Sequence, residues 1–177
     1  MKRSLKKSGI VMVLVLSLLA LSSCGKKSME EVTGNTYECK QFSALCPEDW
    51  VNCPVMELDK DTISINHLRF CKAEVEEGQE IGSAIYSNAY IDIAHYPANS
   101  EIYENMNAYS NIEDVSLEIN GTKWKGHSGE LAGYKDVYLW IDGQVEWQVS
   151  IRLSDNDGDI ELEDFDIQAI LASLKLK

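Results

Sequence analysis

The sequence has few cationic side chains for its length, since 16 Lys and Arg stand against 29 Asp and Glu and give a formal net charge of -13. A folded body with this charge is repelled by phosphate groups, so nucleic acid and an anionic membrane surface are excluded as its main partners. Of the 177 residues, 45% are hydrophobic and 25% are charged. These are globular values, and they exclude a chain that is disordered throughout.

Sequence motifs that would identify an enzyme are also missing. The chain contains no Walker phosphate-binding loop, no G-x-G-x-x-G turn and no H-E-x-x-H zinc motif. Ser128 stands beside His127, but the surrounding residues lack the G-x-S-x-G elbow that exposes a nucleophilic serine. We therefore assign no catalytic residues and expect a protein that is not an enzyme, with a hydrolase of unrecognised type as an alternative.

The apolar run near the start of the chain is too short to span a membrane. It covers Gly9–Leu21, which is 13 residues, whereas a spanning helix needs about 20 and a secretory leader needs roughly 7–15. Four basic residues precede the run, at Lys2, Arg3, Lys6 and Lys7. This arrangement is typical of an exported protein, and we predict that residues 1–23 are a signal peptide.

The leader ends in Leu21-Ser22-Ser23-Cys24, which resembles the lipobox of bacterial lipoproteins. The resemblance implies that the thiol of Cys24 is lipidated and that Cys24 becomes the first residue after cleavage. Acyl chains would anchor the protein on the extracytoplasmic side of the cell membrane, or on the periplasm-facing side of an outer membrane. A plain signal peptide with an incidental cysteine is the alternative. Residues 24–35 are predicted to be the lipidated cysteine and a flexible tether, and residues 36–177 a single domain.

Four cysteines remain for this domain: Cys39, Cys46, Cys53 and Cys71. An even number in an exported domain predicts two disulfides. Zinc is disfavoured because the paired C-x₂₋₄-C knuckles of structural zinc sites are missing, and no redox C-x-x-C motif occurs. Three pairings are possible, and the one we favour joins Cys46 to Cys53 and Cys39 to Cys71 as structural cross-links.

Alternating apolar and polar residues predict strands from Tyr37 to Leu153. One face of a strand that carries only apolar side chains is expected to point to the core, and we call it a dry face. The clearest dry face consists of Val145, Trp147, Val149 and Ile151, and the strand before it carries Val137, Leu139 and Ile141. Asp142-Gly143 and Asn120-Gly121 supply the positive-φ positions of tight hairpin turns. The second half of the domain is therefore predicted to contain two hairpins.

Two helices are predicted in addition. Ser100 begins one that runs to about Asn111, with an apolar stripe of Ile102, Met106 and Tyr109. The other closes the chain, with Ile167, Ile170, Leu171 and Leu174 at helical spacing. Lys175 and Lys177 are expected in its last turn, where they would match the helix dipole. Hairpins followed by a terminal helix predict an α+β fold, in which helices cover an antiparallel β-sheet.

Phe42–Trp50 reads FSALCPEDW and resembles the F-S-x-x-x-P-x-x-W opening of PsbP-like domains, which share their fold with the Mog family. In that pattern the Phe and the Trp point inward around a turn set by the Pro. Ile170–Lys175 resembles the I-L-x-S-L-K end of the last helix in lipoproteins of this type. The resemblance covers residues 36–177, although the chain departs from it in its cysteines. It implies an assembly, stabilising or binding factor whose partner is an unidentified envelope protein or ligand.

The acidic segment Ser154–Asp164 suggests a calcium loop, with Asp155, Asp157, Asp159 and Asp164 as the candidate ligands. Alignment with an EF-type loop places Leu153 at the first ligand position, where an oxygen ligand is needed. We therefore favour a solvated turn whose carboxylates stabilise the start of the last helix. No cofactor is expected, and calcium is the alternative.

Trp140 and Tyr138 point away from the dry face of their strand, and Trp124 lies in the neighbouring hairpin. Such an outward aromatic pair either lies under a covering element, which we favour, or forms a contact surface. In the second case Trp124, Tyr138 and Trp140 are the candidate binding residues. The histidines His67, His95 and His127 lie in separate segments without metal-ligand spacing, so no shared histidine site is expected.

These observations together predict a lipid-anchored, extracytoplasmic envelope protein that binds or stabilises a partner without catalysis. The alternatives are a calcium-binding module that uses the acidic segment and an envelope hydrolase.

Overall fold

The computed structural model describes residues 28–56, 64–72, 89–96, 106–153 and 160–177. The predicted leader, Cys24, and the calcium candidates Asp155, Asp157 and Asp159 lie outside the described residues. Of those residues, 58% are in strands and 13% are helical. The predicted α+β fold with a helix-covered sheet is therefore wrong, because the described part of the chain is a β-rich fold with one α-helix.

The described residues form two antiparallel sheets. The strands are β1 (Gly34–Glu38), β2 (Phe42–Pro47), β3 (Val51–Asn52), β4 (His67–Cys71), β5 (Tyr90–His95), β6 (Ser110–Ile119), β7 (Thr122–Leu131), β8 (Tyr134–Ile141), β9 (Gln144–Leu153) and β10 (Lys175–Leu176). Helix α1 spans Phe165–Ala172, and two 3₁₀ turns span Met29–Glu31 and Met106–Ala108. The larger sheet has the order β3-β4-β5-β9-β8-β7-β6, and the smaller has the order β1-β2-β10.

Both predicted hairpins are confirmed. Asn120-Gly121 joins β6 to β7 with both residues at positive φ, and Asp142-Gly143 joins β8 to β9. The predicted positive φ at Asp142 is wrong, because only Gly143 of that pair has one, of 81°. A third hairpin, between β7 and β8, turns at Ala132-Gly133, where both residues have positive φ values of 53° and 86°. An alanine at such a position carries no turn signal, which explains why the sequence patterns did not identify this connection.

The β8–β9 hairpin contains an irregularity that shifts its register. Ile141 lies opposite Gln144, but Trp140 lies opposite Gln148. The prediction of a dry face beginning at Val145 is wrong for that residue, which is 52% exposed. The buried face begins instead at Trp147, because extra residues at the hairpin end loop out of the ladder.

The helix predicted to end near Asn111 is wrong within the described residues. Residues 106–108 form a 3₁₀ turn, and β6 begins at Ser110 with Asn111 at a positive φ of 51°; residues 100–105 lie outside the described part. Tyr109 donates a hydrogen bond of 2.9 Å to Asp136 on β8. This contact holds the segment against the sheet, so a tertiary interaction overrides its helical spacing.

The terminal helix is confirmed, but it ends earlier than predicted. After Ala172 the hydroxyl of Ser173 accepts a hydrogen bond of 2.8 Å from the Leu45 backbone N–H of β2. Lys175 then pairs with β2 as part of β10, and Lys177 Nζ lies 2.6 Å from Glu38. The expectation that these lysines lie in the last helical turn is therefore wrong, since the chain end becomes an edge strand.

One hydrophobic core lies between the larger sheet on one side and β2 with α1 on the other. Phe42 of β2 packs edge-on against Trp147 of β9, with ring centroids 5.3 Å apart. Trp50 is also buried, and its indole N–H donates to Asp166 of α1 at 3.1 Å. Met29 of the first 3₁₀ turn packs against the same core, so contacts with the domain begin inside the range predicted as a tether.

Candidate functional site

The second face of the larger sheet carries a line of charged and aromatic side chains. Register places Arg69 opposite Asp92, Tyr90 opposite Arg152, and Arg152 opposite Asp136. Residues directly opposite one another in a ladder share a face, so these five lie side by side across β4, β5, β9 and β8. We call Arg69, Asp92, Tyr90, Arg152 and Asp136 the charged row.

Asp136 is the most deeply buried member of the charged row, with 3% of the residue exposed. Its carboxylate accepts hydrogen bonds from Arg152 Nε at 2.9 Å and from Arg152 Nη2 at 3.3 Å. The Tyr109 hydroxyl donates to the same carboxylate and lies 3.0 Å from the Tyr138 hydroxyl. Burial, followed by these hydrogen bonds, raises the pKa of Tyr109. The buried charge of Asp136 is thus fully paired.

Asp92 forms the second carboxylate pair of the row. Arg69 donates to it from Nε and also from Nη2, the latter at 2.6 Å. His67 Nε2 is 3.5 Å from Asp92 Oδ1, which is longer than a hydrogen bond. Burial acts to raise the pKa of Asp92, but the contacts with Arg69 and His67 outweigh it and hold the pKa below its ordinary value.

Tyr90 lies between the two pairs and contacts both guanidinium groups. Its ring centroid is 5.3 Å from the Arg69 guanidinium carbon and 5.2 Å from that of Arg152. Burial raises the pKa of Tyr90 to about 12. Each guanidinium already binds a carboxylate, so the charged row does not present an unpaired cation to an anionic ligand. The contacts of the charged row join four strands and hold the side chains at the end of the row in place.

Two thiols lie at the β3 end of the charged row. The Cys53 N–H donates to the Arg69 carbonyl oxygen at 2.8 Å, so Cys53 lies opposite Arg69. Cys71 lies opposite Tyr90 on the other side. Both cysteines are buried, and their side chains approach to 3.3 Å. The structure therefore brings together one pair of the four predicted disulfide cysteines.

The two thiols of this pair differ in acidity. A hydrogen bond shared with Cys71 lowers the pKa of Cys53, and the positive charge of Arg69 acts in the same direction. The same hydrogen bond and burial raise the pKa of Cys71. The Cys53 thiol also donates to the Val51 carbonyl oxygen at 3.6 Å.

The other two cysteines do not form the predicted bonds. The favoured pairing joined Cys53 to Cys46, but Cys53 lies beside Cys71 and all four thiols are unbonded in the structure. Cys39 hydrogen-bonds to Phe42 at one end of β2, whereas Cys46 lies near the other end. Four residues of strand separate these points by about 13 Å, which is too far for a disulfide.

A cavity of about 410 Å³ opens between the β1–β2 hairpin and the β3–β4 region. Its lining residues are Tyr37, Glu38, Cys39, Lys40, Asn52, Cys53, Pro54, Val55, Ser64, Ile65, His67 and Leu68. Backbone hydrogen bonds from Lys40 to Ile65 and from Ser64 to Val55 tie its walls together. Ile65 is 54% exposed at this cavity, and Met56, which follows Val55, is 53% exposed. The volume suits a small ligand or a side chain of a partner.

The aromatic surface considered from the sequence is not formed. Trp124 is 1% exposed and belongs to the core. Tyr138 contacts Tyr109, and Trp140 is half-buried with its ring 5.5 Å from that of His127. Trp124 is not a surface residue, because successive residues of a strand point to opposite faces of the sheet. The register places Trp124 opposite Ile141 on the dry face.

The candidate calcium loop is only partly within the described residues. Asp164 precedes α1, and its Oδ2 accepts a hydrogen bond of 2.9 Å from the Glu161 backbone N–H. Its carboxylate therefore closes a local turn. Across the described ranges, no group of three or more His, Cys, Asp or Glu side chains is arranged to hold a metal ion.

The three histidines lie in three different places. His67 contacts Asp92, whereas His127 Nδ1 lies 3.0 Å from Asp114 on β6. His95 points to the core side, where its ring centroid is 4.4 Å from that of Trp147. The arrangement brings each histidine to a different partner.

The charged row was missed by the sequence patterns. Arg152 and Asp136 each occupy a polar position of a recognised strand, but a regular β8–β9 hairpin would place Asp136 opposite Val149. The register shift near the turn is what brings Arg152 to Asp136. The apolar residues of both strands are odd-numbered, whereas a two-residue turn pairs odd with even positions, so the sequence signals a shift without specifying which residues meet.

Comparison with known proteins does not place the chain in a family. No protein-family model matches it, and no curated protein matches it either. Within the described ranges, no helix has the length and apolar character needed to cross a membrane. The resemblance to PsbP-like domains therefore stays a prediction.

Proposed function

We propose that this chain is a lipid-anchored, extracytoplasmic envelope protein that binds a partner through the cavity beside Ile65, without catalysis. Cys24 supplies the anchor, and the β-rich domain supplies the binding surface. The observation that carries the proposal is the cavity of about 410 Å³ with two half-exposed apolar side chains, Ile65 and Met56, at or next to its wall. Exposed apolar side chains beside a concavity are typical of recognition sites.

Charge narrows the class of partner. Removal of the predicted leader would take away four cationic side chains and leave 12 against 29 acidic ones. A body with this excess of negative charge attracts a cationic partner and repels an acidic one. We therefore propose an envelope protein of net positive charge that inserts an apolar side chain into the cavity.

The anchor is tested by fractionation of cells that produce the full chain. Cys24→Ala should move the protein from the membrane fraction to the soluble fraction, because the acylated atom is lost. Cys39→Ser is the matched control, since it also removes a thiol but should leave the protein on the membrane. Retention of the Cys24→Ala protein on membranes would contradict the anchor.

The binding site is tested by photocrosslinking in intact cells. A photoreactive residue in place of Ile65 should give a discrete crosslinked product. The same residue in place of Val145, which is equally exposed but does not line the cavity, should not. Identical products at both positions, or none at Ile65, would count against the cavity as the binding site.

A further inference from the structure

Cys53 and Cys71 have properties that a purely structural cross-link does not need. We propose that they are a reversible dithiol–disulfide couple that exchanges with a disulfide-bonded molecule in the neighbouring cavity, with Cys53 as the attacking thiol and Cys71 as the resolving thiol. This redox activity goes beyond the proposed binding function and does not depend on the membrane anchor.

Access distinguishes the two cysteines. Cys53 lines the cavity of about 410 Å³, whereas Cys71 does not. Cys71 lies behind it at 3.3 Å, opposite Tyr90 in the ladder. A molecule in the cavity therefore lies next to Cys53, which is 2% exposed, and Cys71, which is 1% exposed, lies beyond it within reach of the Cys53 sulfur.

Arg69 places a positive charge beside both thiols. Arg69 lies opposite Cys53 and on the same face as both thiols. Asp92 binds the guanidinium and fixes it in this position. The positive charge of Arg69 acts to lower the pKa of both thiols, and the thiolate is the form that attacks a disulfide.

The register argues that the bond is reversible. Cys53 lies opposite Arg69, so Cys71 is its diagonal neighbour, two residues further along β4. Diagonal neighbours in a ladder are about 7–8 Å apart, whereas a relaxed disulfide joins Cα atoms about 4.4–6.8 Å apart. A disulfide at this diagonal position would span the upper end of that range, and strain of this kind makes a disulfide easier to reduce.

The exchange proceeds in two balanced steps. The Cys53 thiolate attacks one sulfur of a disulfide RSSR, forms a mixed disulfide between Cys53 and SR, and releases RS⁻. Deprotonated Cys71 then attacks the Cys53 sulfur, forms the Cys53–Cys71 disulfide and releases the second RS⁻. The protein loses two electrons and two protons, and RSSR becomes two RSH.

The test uses bis(2-hydroxyethyl) disulfide, a small neutral probe. In a full chain carrying Cys24→Ala, Cys39→Ser and Cys46→Ala, only the couple remains. Further Cys71→Ser should trap a mixed disulfide on Cys53, and the matched Cys53→Ser variant should form its adduct at Cys71 at least about tenfold more slowly. With both thiols present, intact mass should show the loss of two hydrogens and no lasting adduct.

The decisive control is reduction of the Cys53–Cys71 disulfide in the folded protein. Excess 2-mercaptoethanol should restore both thiols while the protein stays folded. A bond that resists reduction until the protein unfolds, or equal adduct rates in the two single-thiol variants, would overturn the proposal. If these variants do not fold, brief iodoacetamide labelling of the reduced unmodified chain serves instead. Peptide mapping should find Cys53 labelled before Cys71 and Cys46, and labelling of Cys71 first would also overturn it.

Discussion

Arg152 and Asp136 face each other across β9 and β8 and form a two-point ion pair, with Nε–Oδ1 and Nη2–Oδ2 distances of 2.9 Å and 3.3 Å. The same guanidinium lies 4.8 Å from the ring centroid of Tyr134 and 5.2 Å from that of Tyr90. One arginine thus joins the two central strands of the larger sheet to the residue that contacts Arg69. The charged row is a continuous structure because of this pair.

Loss of the Asp136 charge should destabilise the domain strongly. Asp136→Asn leaves Arg152 without its counter-charge in a site where the side chains of Asp136 and Arg152 are 5% and 18% exposed, respectively. We expect the free energy of unfolding to fall by about 3 kcal/mol. Chemical denaturation followed by tryptophan fluorescence measures it. Asp142→Asn is the control, because Asp142 pairs with Lys125 near the surface and should change stability by about 0.5 kcal/mol or less. Equal effects of the two changes would contradict the importance of burial.

Acid should unfold the domain through Asp92. Its pKa in the folded state is below the ordinary value of 3.8, so its ionised form stabilises the fold above pH 3.8 and this contribution is lost as pH falls through the folded pKa. Arg69→Met removes the main lowering contact while burial still raises the pKa. Its acid-unfolding midpoint, followed by circular dichroism, should therefore move to higher pH. Lys125→Met, at an exposed pair, should leave the midpoint in place, and a shift equal to that of Arg69→Met would refute this assignment.

The number of free thiols should be two. In the Cys24→Ala chain, purified in air and denatured without reductant, we expect Cys39 and Cys46 to react with a thiol reagent and Cys53 and Cys71 to be bonded. The physical reason is that β2 holds the first two apart, while the other two side chains lie 3.3 Å apart. A result of zero reactive thiols would support the two disulfides predicted from the sequence. A result of four reactive thiols would show that Cys53 and Cys71 are not bonded.

Replacement of Ala132 by Gly should stabilise the protein. Ala132 has a φ of 53° in the β7–β8 turn, a conformation that costs an L-residue with a Cβ about 1 kcal/mol. Allowing for the greater freedom of glycine in the unfolded chain, we expect a gain of about 0.5 kcal/mol. The same substitution at Ala169, in the interior of α1, should instead destabilise by about 1 kcal/mol. Thermal unfolding of both variants checks the opposite signs, and a lower melting temperature for Ala132→Gly would contradict the strain.

Local chemistry was enough to predict several elements of the fold. The hairpins at Asn120-Gly121 and Asp142-Gly143 and the apolar spacing of Ile167, Ile170 and Leu171 are confirmed because each depends on residues close together in the chain, although Asp142 does not have the predicted positive φ. The segment around Tyr109 was predicted wrongly for the opposite reason. The Tyr109 hydroxyl donates a hydrogen bond to Asp136, which is 27 residues away, and that contact outweighs the weak helical spacing of apolar residues.

The candidate site required information that no local pattern contains. The thiol pair depends on which residues of β3 and β4 lie opposite each other, and the charged row depends on a register shift in the β8–β9 hairpin. A shift of one residue moves every side chain of a strand to the other face. Binary patterning predicts that a strand exists, but it does not specify which polar residues of two strands meet.

The sequence alone determined the acidic character of this protein, the positions of two hairpins and the terminal helix, because charge, turn chemistry and apolar period are properties of neighbouring residues. Only the tertiary structure decided that the fold is β-rich, that Cys53 lies against Cys71, and that Arg69 and Arg152 meet their carboxylates around Tyr90. Those contacts join segments far apart in the chain, and their geometry is set by strand register and core packing. The residues next to these side chains in the sequence do not identify the partners that they contact in the folded sheet.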